Sequence, residues 1–136
     1  MISKVSFSAL KGLDSPENKK NLGMLNRIYG DNFITFAETI LPQISEVSGD
    51  TDVFLHTQVK ESFLNDYMHF QILNSEQKEI AASSYKLGLK PEKYGNTPGM
   101  RKALTTLLEN FRNNFLPPSN GERLENLINT YSYKSH

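Results

Sequence analysis

Apolar residues recur along most of this chain at intervals of three and four, and its eight glycines and six prolines fall mainly between the periodic stretches. That regularity predicts an all-α protein, because a helix buried on one side needs an apolar stripe with a 3.6-residue period. Ser15 followed by Pro16 and Glu17 reads as an N-cap with proline at the first helical position, opening a helix through Leu22, Leu25 and Ile28 to Tyr29. After Gly30, the stretch 31–47 places Phe33, Phe36, Ile40, Ile44 and Val47 on a second stripe. Pro42 is expected to kink that helix or end it a turn early, since it lacks a backbone donor. The pattern predicts a third helix over 57–73, with Val59, Phe63, Tyr67, Phe70 and Leu73 as its wall. Asn74 or Ser75 then caps a shorter helix over 75–88, which Gly88 and Pro91 stop. A long helix over 97–115 buries Met100, Leu104, Leu107, Leu108 and Phe111, and a last one over 120–133 carries Leu124, Leu127, Ile128 and Tyr131.

The chain has 136 residues, so it is expected to fold as one domain, 1–136, with a core that needs neither disulfide nor metal. It contains no cysteine, which excludes a thiol nucleophile and Cys-ligated metal. Fifteen Lys and Arg balance fifteen Asp and Glu, which argues against nucleic acid or an anionic membrane as the main partner. No apolar run reaches the length of a membrane span or export signal, and a cytoplasmic location is the default expectation.

No catalytic signature is present: there is no GxSxG, HExxH, P-loop or GxGxxG arrangement, and only three histidines, at 56, 69 and 136. The expectation is that the protein is not an enzyme. His56 is expected in a loop, solvated. His69 falls at the edge of the aromatic wall, either structural or a polar contact to a ligand. Glu76 and Glu79 read as charges favoured near a helix N-terminus, and Asp50 and Asp52 as a turn without the spacing of a calcium loop.

The segment from Ile80 to Tyr94, IAASSYKLGLKPEKY, resembles the corner between the F and G helices of bacterial globins. Leu87, Gly88, Leu89, Pro91 and Tyr94 match a family pattern in which a histidine three residues before the leucine binds haem iron. Here that position is Ser84, whose neutral hydroxyl is a poor axial ligand. The resemblance therefore implies a globin-like fold without haem, similar to the sensor domains of Bacillus sporulation histidine kinases and their plasmid-encoded, sporulation-inhibiting relatives. It implies no cofactor but a bound fatty acid, held in an apolar pocket and competed for with a kinase. The pocket would be lined by Phe33, Phe36, Ile40, Phe63, Tyr67, His69, Phe70, Ile80, Ser84, Leu87, Leu104, Leu107 and Phe111. The small residues Ala81 to Ser84 support a chamber, since an empty one of about 300 Å³ would cost on the order of 7 kcal/mol. His69, Arg27, Tyr29 and Lys86 are the candidate donors to a carboxylate. The resemblance further implies a homodimer through the last two helices, with Arg101, Leu108, Leu124, Leu127, Ile128 and Tyr131 at its interface. Two alternatives remain: a haem globin for diatomic gases, ligated by His69 or Tyr85, and a cyclin-like helical interaction module.

Overall fold

The computed structural model describes residues 9–115, apart from 89, 92 and 94. Strand β1 (Leu10–Lys11) is followed by helices α1 (Pro16–Tyr29) and α2 (Asp31–Ser48), strands β2 (Val53–Glu61), β3 (Asp66–Leu73) and β4 (Glu79–Lys86), and helix α3 (Thr97–Phe115). The strands form one sheet in the order β1-β2-β3-β4, with β1 parallel to β2 and the other pairs antiparallel. The protein is therefore neither all-α nor globin-like; it is an α/β fold in which, among the described residues, three helices lie beside a mixed four-stranded sheet.

Helices α1, α2 and α3 form where the apolar period places them. Ser15 Oγ accepts the Asn18 N–H at 3.2 Å, and Pro16 stands in the first turn. Helix α2 runs through Pro42 to Ser48 rather than ending early. Met100, Leu104, Leu107, Leu108 and Phe111 are all buried on α3, as their spacing requires.

The two segments expected as helices over 57–73 and 75–88 are strands. Their apolar residues also satisfy a two-residue period. Val53, Leu55 and Thr57 are buried on β2, Met68, Phe70 and Ile72 on β3, and Ala81 and Tyr85 on β4. The intervening turns contain neither glycine nor proline. In the first, Ser62 N and Ser62 Oγ both donate to the Asn65 carbonyl, at 3.0 and 2.7 Å. In the second, Asn74 is a turn anchor rather than a helix cap. Its Oδ1 accepts from Glu76 N and Lys78 N, and Gln77 takes a φ of 64°.

All three helices lie on one face of the sheet. Helix α1 covers β2, α3 covers β4 and part of β3, and α2 packs between them while reaching β1. Ser83 Oγ donates to the Ala103 carbonyl at 2.6 Å, and Ala81 and Ala103 are both buried. The small residues of β4 thus let α3 approach the sheet closely; they do not hollow out a chamber. Gly12, at φ +88°, brings the chain from β1 into α1, and a Cβ there would stand 2.9 Å from the Leu55 carbonyl oxygen.

Candidate binding surface

The opposite face of the sheet carries the alternate residues. Strand register aligns them in rows: Phe54 with Leu73; His56 with Gln71 and Ala82; Gln58 with His69 and Ser84; and Lys60 with Tyr67 and Lys86. Every one of these side chains is half-buried or exposed, whereas their neighbours on the helix side are mostly buried. Successive rows lie about 7 Å apart along the strands.

The rows are ordered by their own contacts. His56 Nδ1 lies 2.9 Å from Gln71 Oε1, and Gln71 Nε2 donates to Glu79 Oε1 at 2.8 Å. His69 is held below its ordinary pKa of 6.5 by partial burial and by the charge of Lys60. At the end bearing Lys60, Tyr67 and Lys86, the turn between β2 and β3 projects Phe63, 99% exposed, and Leu64, 71% exposed. Beside this tip is a cavity of about 250 Å³ whose wall includes Asn65, Asp66, Gly88 and Pro91. A second cleft of about 300 Å³ opens on the helix side between α1 and β2, lined by Lys20, Met24, Arg27, Val59 and Glu61 among others. Among the described residues, no group of three or more His, Asp or Glu is placed to hold a metal ion.

No protein-family model, curated protein or solved structure matches this chain.

The residues expected to line one pocket are dispersed. Phe33, Ile40, Phe70, Leu87, Leu104, Leu107 and Phe111 are buried members of the core, packed against one another. Phe36 and Ile80 are partly buried against that core. Tyr67, His69 and Ser84 stand on the open sheet face, and Phe63 at the turn. The walls proposed for a fatty-acid chamber thus belong to different regions of the molecule. The globin corner is absent as well: Ser84 lies within β4, and Leu87 and Gly88 follow the strand directly. Leu89 and Tyr94 lie outside the described residues.

The other expected contacts are also redistributed. Leu108 is only 4% exposed and faces the core, so it presents no dimer contact. Arg101 ties α3 to α2, donating to Asn32 Oδ1 at 3.0 Å with its guanidinium 5.9 Å from the centre of the Phe36 ring. Leu124, Leu127, Ile128 and Tyr131 lie outside the described residues. The two alternative haem ligands fall on opposite sides of the sheet, His69 on the open face and Tyr85 in the core, where its hydroxyl lies 2.9 Å from that of Tyr29. The cyclin-like helix pair is likewise the β-meander. His56 is on β2 rather than in a loop, Glu76 lies in the turn before β4, and Glu79 begins that strand.

Of the candidate carboxylate donors, Lys86 and His69 share the open face, while Arg27 lines the α1 cleft and Tyr29 is buried. Reasoning from sequence missed this surface. The available signal was the alternation of polar and apolar residues in VFLHTQVKE and DYMHFQIL, which places Gln58, Lys60, His69 and Gln71 together.

Proposed function

We propose that this protein is a non-catalytic binding domain whose contact surface is the open face of its sheet. The observation that carries the reading is the row Lys60, Tyr67 and Lys86, aligned by strand register and flanked by the exposed Phe63. A large exposed ring is unusual on a fold this well closed, and aromatic residues beside cations are common anchors of contact surfaces. On this face His56 is oriented by the Gln71 amide rather than by a nucleophile or an acid–base partner. That arrangement suits recognition better than bond-making.

The test is a photo-crosslinking residue placed at Tyr67, with Glu38 on α2 as the control, in cells that make the protein. The reading expects one discrete adduct from position 67 and none from position 38. Equal adducts at both positions, or none at either, would count against it.

A further inference from the structure

Resting on the open sheet face as the contact surface, we infer that its occupant is single-stranded nucleic acid. The chain as a whole is neutral, but its charges are not spread evenly. Lys60 and Lys86 share this face, where Glu79 is the carboxylate of the described strands, at the end far from the lysines and engaged by Gln71. The alternation that turns Lys60 outward turns Glu61 toward the α1 cleft. The outcome is a locally cationic surface on an uncharged protein, which is the complement of a phosphate backbone.

Charge alone would admit any polyanion. The rings narrow the choice. Tyr67 stands between Lys60 and Lys86 in register, His69 follows one row on, and Phe63 lies fully exposed at the adjoining turn. Bases that are free of a duplex can stack on such rings while the lysines follow the phosphates, and stacking of this kind tolerates any base. Gln58 and Ser84 supply donors and acceptors that can meet base edges between the rings. Bases inside a duplex are stacked on one another and offer these rings no face.

The experiment is fluorescence anisotropy of labelled oligouridine and oligothymidine of about twelve nucleotides, and of a duplex of equal length, titrated with the full chain. The inference expects saturable binding of single strands, weaker binding of the duplex, and a Kd that rises about sevenfold between 50 and 200 mM salt for two phosphate contacts. Lys60→Glu with Lys86→Glu should remove binding. Tyr67→Ala should weaken it about tenfold while Tyr67→Phe keeps it, since the ring rather than the hydroxyl stacks. Comparison of the two oligonucleotides shows whether RNA or DNA is preferred.

Absence of binding, equal affinity for the duplex, or indifference to the lysine changes would overturn the inference. If oligonucleotides fail while position 67 still crosslinks to a protein, the contact surface stands and its occupant is not nucleic acid. If both fail, both readings fall.

Discussion

Asn18 on α1 and Thr57 on β2 meet through a single oxygen. Asn18 Oδ1 accepts from Thr57 N at 2.9 Å and from the Thr57 hydroxyl, while Asn18 Nδ2 donates to the carbonyls of Gly12 and Leu55 at 2.6 and 2.8 Å. Thr57 Oγ1 in turn accepts from Asn21 Nδ2 at 3.0 Å. All three residues are buried, so one amide closes the joint between β1, α1 and β2 with its hydrogen-bonding groups used on both sides.

Asn18→Ala strands the Leu55 carbonyl, the Thr57 backbone N–H and the Thr57 hydroxyl proton away from water, while the Gly12 carbonyl keeps the Ser15 N–H. The expected loss of stability in urea denaturation is about 2–4 kcal/mol. Asn18→Asp should be no milder, because a carboxylate cannot donate to Gly12 and Leu55.

The buried hydroxyl pair of Tyr29 and Tyr85 predicts alkaline sensitivity. Burial pushes both phenols above the ordinary value of 10.0, Tyr85 the further because Tyr29 adds to the effect. Both are thus held neutral in the folded state, while the unfolded chain releases their protons as pH passes 10.0. The stabilisation is complete below that pH and is lost as pH rises toward the folded-state values. Melting temperature followed by circular dichroism should be level from about pH 7 to 9 and fall steeply from about pH 10 to 11. Tyr85→Phe should melt lower at neutral pH and lose less across the alkaline range.

Three asparagines close the free edge of β4. Asn114, Asn110 and Asn96 donate to the carbonyls of Ile80, Ala82 and Lys86 at 2.8, 3.1 and 3.0 Å. Four residues of helix advance about as far as two of strand, so Asn110 and Asn114 reach alternate carbonyls. Replacing both with alanine should cost about 1–2 kcal/mol and leave an edge open to pairing between chains. Light scattering at raised concentration should show the double variant associating while the parent stays dispersed.

His69 should titrate below the ordinary 6.5, with burial the larger cause and Lys60 the smaller. Its neutral form is favoured by the fold, so this contribution is present above 6.5 and is lost as pH falls through the folded value. Lys60→Gln should raise the His69 pKa part of the way back, read from its imidazole proton shifts. An oligonucleotide phosphate on the same face should raise it too.

The helices were legible in sequence because their ends carry chemistry of their own. Ser15 and Pro16 mark one start, Gly30 separates two helices, and the α3 stripe admits one period only. The meander was hidden by coincidence. Val59, Phe63, Tyr67, Phe70 and Leu73 are spaced as on a helix, yet Phe63 is at a turn tip and Tyr67 and Leu73 face away from Phe70. With Ser62 to Asn65 turning the chain by hydrogen bonds and no glycine, nothing interrupted the false stripe. The resemblance at LGLKPEKY inherited the same error, since its leucine and glycine follow a strand. The open sheet face could not be seen until the strand period was recognised.

The account turns on the alternation along β3, and the chain's lack of cysteine makes it directly measurable. Single cysteines introduced one at a time from position 67 to 72 can be labelled with a thiol reagent under native conditions, with circular dichroism confirming that each variant is folded. Labelling should be fast at positions 67, 69 and 71 and slow at 68, 70 and 72. A maximum every three or four residues would restore a helix there, and uniformly slow labelling would show that the proposed contact face is covered; either result would contradict the surface described.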